Sequence, residues 1–129
     1  MIRIAGRVFV EEGWSVKYIK RNSRIPELLS FFFPISAITI GPYIFIKKGH
    51  GGVRLVNHEG IHVQQGKEMG YLNFWAHYLY YMLKLGWKYK NLYRAYKKIP
   101  FEIEAYENQN DLDYLATREP MAWKKYITT

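Results

Sequence analysis

Three residues near the middle of the chain have the types and spacing from which a metal centre can be built: His58, Glu59 and His62, in the run Asn57-His58-Glu59-Gly60-Ile61-His62. On an α-helix, positions four apart lie one turn apart on the same face, so the two imidazoles can converge on one point. Zinc suits that point, and a glutamate directly after the first histidine projects beside it without having to bind the ion. The chemistry predicted is hydrolysis. Zinc lowers the pKa of a bound water to about 7, and Glu59, as general base, takes the proton as the nucleophile forms. Because the chain has no cysteine, thiolate ligands and disulfide partners are excluded, and the site must be completed by histidine or carboxylate.

A catalytic zinc needs a third protein ligand and one open position. His50 sits in the glycine-rich stretch Lys47-Lys48-Gly49-His50-Gly51-Gly52 and His77 on an aromatic helix, which makes both weaker candidates than the acids of Ile99-Pro100-Phe101-Glu102-Ile103-Glu104-Ala105-Tyr106. Glu102 and Glu104 are two apart, about 200° around a helix, so they cannot comfortably serve the same ion. Glu102 is favoured because Pro100-Phe101 sets it at a fixed helix entrance; Glu104 is the alternative. Tyr96 and Tyr106, and more weakly Tyr93, are candidates to donate a phenolic hydrogen bond to a developing oxyanion or to the ligand set. Gln64 and Gln65 follow the histidines on the same helix and could contact the metal shell or substrate.

The pairing of H-E-x-x-H with a later helix bearing E-x-x-A or E-A resembles the gluzincins, zinc peptidases whose third ligand is a glutamate on a separate helix. More narrowly, His58-Glu59-Gly60-Ile61-His62-Val63-Gln64-Gln65 followed by Pro100 to Tyr106 is similar to small bacterial and phage proteins of minigluzincin type. The resemblance extends loosely from about Ile38 to Tyr106. It implies a zincin-like fold, bound zinc and a peptide or protein substrate. The E-x-x-A-D pattern maps the ligand to Glu102 and places Tyr106 where that family has aspartate. The N-E-A-x-x-D pattern maps it to Glu104 and places Asn108 there. The metzincin continuation is absent, since His62 is followed by Val-Gln-Gln-Gly-Lys-Glu-Met-Gly-Tyr-Leu.

The elements that must hold these residues are those of one α+β domain over residues 1–129, mainly β over 1–53 and mainly α over 54–129: a small N-terminal sheet, then a helical region carrying the H-E-x-x-H and glutamate helices. Residues 1–10 read as a short strand with Gly6 as a turn or bulge, and Arg24 to Phe33 as a short helix with Pro26 in its first turn. Ile35 to Ile46 suits a strand, a bend at Gly41-Pro42 and a second strand. A helix is expected from about Arg54–Asn57 to Met69. A second runs from Tyr71 to Lys98, divided at Gly86, with Leu72, Trp75, Leu79, Met82, Leu83 and Trp87 as its core stripe. A third should run from 101 to about 117, with Glu119-Pro120 ending regular structure.

An apolar share of 49% and an aromatic share of 18% exclude a disordered chain. The formal charge of +8 favours anionic partners. The basic residues gather at Lys17 to Arg24 and, threaded with tyrosines, at Lys84 to Lys98, which raises weak membrane-surface or nucleic-acid contact alongside the plainer role of a solvated face. A non-catalytic, zinc-stabilised binding protein using those helices is the competing functional class. With neither a signal-peptide pattern nor a clear transmembrane run, a cytoplasmic chain is expected.

Overall fold

The computed structural model describes residues 2–4, 7–9, 18–23, 37–40, 42–47 and 52–127. The fold is α+β. Strands β1 (Ile2–Ile4) and β2 (Arg7–Phe9) pair antiparallel, so the single N-terminal strand expected over 1–10 is two short ones. A second sheet holds β3 (Tyr18–Ser23), β4 (Ala37–Ile40) and β5 (Tyr43–Lys47) in the order β3-β5-β4. β5 runs parallel to β3 and antiparallel to β4, with Thr39 opposite Ile44. The expected helix over Arg24 to Phe33 lies outside the described residues.

Along β5 the side chains alternate, Ile44 and Ile46 buried and Tyr43 exposed, which is the period of a sheet with one face covered. The cover is helix α1 (Val53–Met69), whose Val56 and Val63 pack on Ile44 and Ile46. On its other side Ile61 meets Ala105 and Leu115. Buried from Val56 to Val63, α1 is the central helix of the domain.

Gly70, with φ at 86°, turns the chain sharply into helix α2 (Tyr71–Tyr89), a conformation that glycine adopts without strain. The break after α2 falls at Lys90 and Asn91, not at Gly86. Lys90 takes the left-handed conformation and returns its N–H to the Gly86 carbonyl, while the Asn91 side chain caps helix α3 (Leu92–Lys98) by accepting from the Arg94 N–H. A Cβ at Gly86 would stand 3.1 Å from the Leu92 side chain, so this glycine admits a close approach within an unbroken helix.

Pro100 opens helix α4 (Pro100–Asn108), where its missing N–H costs nothing. The single helix expected over 101–117 is two: α4 and the short α5 (Tyr114–Thr117). The Asn57 amide explains the break. It donates to the carbonyls of Gln109 and Asp111 at 2.9 and 3.0 Å, diverting acceptors that a continuous helix would use internally. A 3₁₀ turn over Ala122–Tyr126 follows Glu119-Pro120, so regular structure extends past the expected end.

The second core gathers Phe74, Leu85, Ala95, Ile99, Phe101 and Trp123 where α2, α3, α4 and the 3₁₀ turn meet. The stripe expected to face this core mostly faces the other way: Leu72, Leu79, Leu83 and Trp87 are exposed, and Phe74 and Leu85 are buried in their place. Among the described residues, no helix is long and apolar enough to cross a membrane.

Candidate metal centre

Helix α1 presents His58 and His62 on one face and α4 presents Glu102 against them. Glu102 Oε1 lies 3.2 Å from His58 Nε2 and 3.1 Å from His62 Nε2. All three side chains are buried. Glu104, on the same helix, turns to another set of partners: Tyr114 at 2.6 Å, Arg118 at 2.5 Å and Gln65 at 2.9 Å. Glu102 is therefore the acid that meets the histidines, and Glu104 is not.

The hydrogen bonds of Gln65 fix the tautomer of His62. The Gln65 amide N–H₂ donates to the Phe101 carbonyl at 3.1 Å and to Glu104 Oε1 at 2.9 Å, so its Oε1 is the atom facing His62 Nδ1 at 2.8 Å. His62 Nδ1 must then carry the proton and donate. In its neutral form His62 directs the Nε2 lone pair at a carboxylate oxygen. His58 repeats the pattern, with Nδ1 2.8 Å from Gln109 Oε1 and Nε2 toward Glu102. Two lone pairs converging on an anion repel one another unless a proton or a cation lies between them. With no cation, the proton takes that place at His62: burial favours its neutral form, but the Glu102 charge and hydrogen bond, with Gln65, outweigh it and push the pKa up to about 9. Burial likewise works against the Glu102 charge, yet His62 and His58 hold its carboxyl well below the usual range.

The donor set fits zinc. Tetrahedral zinc with nitrogen and oxygen ligands at about 2.0–2.1 Å has neighbouring ligand atoms about 3.3 Å apart. The Nε2 to Oε1 separations are close to that value, and the two histidine Nδ1 groups are oriented by amide oxygens, as metal-bound imidazoles require. His58, Glu59 and His62 also place one ligand atom each within 4.8 Å of one another. No family model, curated protein or solved structure matches the chain at significance.

Glu59 is buried beside the histidines, its Oε2 3.8 Å from His58 Nε2. Its other oxygen accepts from Thr39 Oγ1 on β4 at 2.7 Å. Sequence reasoning missed Thr39, because that contact spans two elements and leaves no local pattern. It also missed Tyr78, whose O–H donates to Glu102 Oε2 at 2.8 Å and leaves Oε1 to the histidines. Asn57 and Gln109 were missed too. Asn57, directly before the motif, holds the C-terminal end of α4 that carries Gln109, so each histidine Nδ1 faces a glutamine amide oxygen.

The centre opens on a pocket of about 430 Å³, part of it open solvent, with Glu59, His62, Glu102, Tyr78 and Tyr96 presenting polar groups and Ile38 and Phe74 forming apolar walls. Tyr96 and Tyr106 join O–H to O–H at 3.0 Å, and burial pushes both phenols above their ordinary pKa. The Tyr106 ring packs edge-on to His58 at 4.5 Å. Tyr93 is exposed and outside the pocket lining, and Asn108 donates to the Glu104 carbonyl, away from the histidines. His77 bonds its own helix at the Asn73 carbonyl; His50 lies outside the described residues.

Proposed function

We propose that the protein is a zinc-dependent hydrolase of gluzincin character, acting on a peptide bond, with zinc held by His58, His62 and Glu102 and with Glu59 as general base. One observation carries this reading: the Glu102 carboxylate oxygen stands within 3.2 Å of two imidazole nitrogens whose partner nitrogens already face amide oxygens, an arrangement that a proton or a metal cation completes and whose donor set and spacing suit zinc. Zinc supplies Lewis acidity there, polarising a carbonyl and acidifying water.

The remaining steps belong to the protein's side chains. Thr39 holds Glu59 Oε1, so Oε2 is the oxygen that accepts the proton from the attacking water and later returns it to the leaving amine. Tyr78 fixes Glu102 through Oε2. Tyr96, kept protonated by burial and lining the pocket, is placed to donate to a developing oxyanion, with Tyr106 holding its hydroxyl. Support for a peptide substrate comes from β4. Among the described residues it is an end strand of its sheet, paired only with β5, and it carries the Thr39 that touches Glu59, so its outer side could take an extended chain by backbone pairing.

The test is metal analysis of the purified protein together with peptide-mixture digestion followed by mass spectrometry. One zinc per chain and cleavage by the wild type are expected, with Glu59→Gln retaining zinc and losing about 10²–10⁴-fold in rate. Absence of zinc under metal-replete conditions overturns the centre. Stoichiometric zinc with no cleavage of any peptide overturns the enzyme and favours the binding-protein alternative.

A further inference from the structure

Helix α2 is apolar on two opposite faces. One packs Phe74 and Leu85 into the second core. At 100° per residue, Leu72, Leu79, Leu83, Trp87 and Tyr80 fall in a sector about 100° wide on the other side, a stripe about 22 Å long from Leu72 to Trp87. All are exposed, Leu72 at 89% and Trp87 at 78%, whereas single exposed apolar residues scattered on a surface would need no explanation.

Along the segment that carries the stripe the charge has one sign. From Met69 to Phe101 the chain carries Lys84, Lys88, Lys90, Arg94, Lys97 and Lys98 and no Asp or Glu, in a protein whose net charge is +8. All these cations are exposed. Lys84 and Lys88 flank the stripe on α2, and Lys90 lies over the Trp87 ring at 4.0 Å, its ammonium beside the apolar surface. Leu92 and Tyr93, also exposed, continue the apolar surface onto α3.

We infer that the outer face of α2 and the start of α3 dock on an anionic lipid bilayer, with the leucines and Trp87 entering the headgroup boundary and the lysines meeting lipid phosphates. An apolar helix face with tryptophan and flanking lysines is the pattern of an interfacial helix, and no described helix is suited to crossing the membrane instead. Two copies of the face would bring together unbalanced cations, which disfavours self-association. A nucleic acid would pair with the cations but leave Leu72, Leu79 and Leu83 without apolar partners, because nucleic-acid surfaces stack on aromatic rings and contact guanidinium groups.

The experiment is co-sedimentation of the full chain with vesicles of phosphatidylcholine alone or of phosphatidylcholine mixed with phosphatidylglycerol. Alongside the wild type run the triple variants Lys84→Gln/Lys88→Gln/Lys90→Gln and Leu79→Gln/Leu83→Gln/Trp87→Gln, with thermal melts to establish that each is folded. Binding to the anionic vesicles is expected, weakened about a hundredfold by the charge variant, at about 1 kcal/mol for each cation, and at least tenfold by the apolar variant. Failure of the wild type to sediment with anionic vesicles overturns the proposal, whatever the variants do. So does equal binding to both vesicle types, or a wild type that retains a DNA duplex or dimerises in place of binding vesicles.

Discussion

Two carboxylates on α4, two residues apart and both buried, live in opposite surroundings. Glu104 is saturated by donors from within the chain: Tyr114, Gln65 and the Arg118 guanidinium, itself paired with Glu68 at 2.8 and 3.0 Å. Glu102 accepts from the Tyr78 hydroxyl and faces two imidazole nitrogens that offer lone pairs when neutral. A buried charge with its counter-cation supplied by the protein is structural. A buried charge facing lone pairs is completed from outside, by protons or by a metal.

The largest expected difference follows from that contrast. Glu102→Ala should abolish stoichiometric zinc binding, because two histidines alone leave the site a ligand short; metal analysis after equilibration with zinc reads it. Full zinc occupancy in that variant would break the comparison at its first step.

Glu104→Ala should do the reverse, keeping zinc and losing about 3–5 kcal/mol of stability as a buried charge network loses a partner, measured by denaturant unfolding. Acid sharpens the same point. Arg118, Tyr114 and Gln65 overcome the burial that would raise the Glu104 pKa and hold it below 4.5. A carboxyl lowered in the folded state stabilises fully above its unfolded pKa and loses that contribution as pH falls below it. Stability of the wild type should therefore drop below about pH 4.5, and Glu104→Ala should flatten that slope. An unchanged slope would remove Glu104 from the acid response.

How much of this was written in the sequence differs residue by residue. His58, Glu59 and His62 were legible because a four-residue step on a helix is a local geometric fact. Helical phase showed that Glu102 and Glu104 could not share a site, but the partner that claims Glu104 is Arg118, fourteen positions on, and no local rule connects them. Thr39 and Gln109 depended on how β4 and the end of α4 approach α1, which tertiary packing decides. The central helix and the paired strands before it followed from pattern. The inward face of α2 did not, because both of its faces are apolar, and periodicity reports a stripe without saying which side is buried. The single helix expected over 101–117 failed because Asn57, far away in sequence, takes its carbonyls.

Gln65 links the two carboxylates, donating to Glu104 and accepting from His62, and its loss should be felt on both sides. Gln65→Met keeps the volume and removes the relay. A group that orients a metal-bound imidazole is worth about 10–100-fold in metal affinity. The upper part of that range is expected, since His62 Nδ1 loses the acceptor it faces. A competition titration with a zinc-binding dye measures it, and wild-type affinity would show that His62 needs no orientation from Gln65.

Tyr78→Phe should have the smallest effect. Its hydroxyl holds Glu102 Oε2, whereas Oε1 is the oxygen that faces both histidines, so removing the bond frees rotation of the carboxylate without removing the ligand atom. The ring itself should stay in place, because it is packed against Phe101 and Phe74 in the second core. Zinc affinity should fall about tenfold, at the lower end of what outer hydrogen bonds contribute, with the thermal midpoint of the zinc-loaded protein nearly unchanged. If Tyr78→Phe instead loses zinc as completely as Glu102→Ala, then Glu102 is held in place by Tyr78 and not by the helix entrance at Pro100, and the contrast between the two carboxylates lies in one phenol.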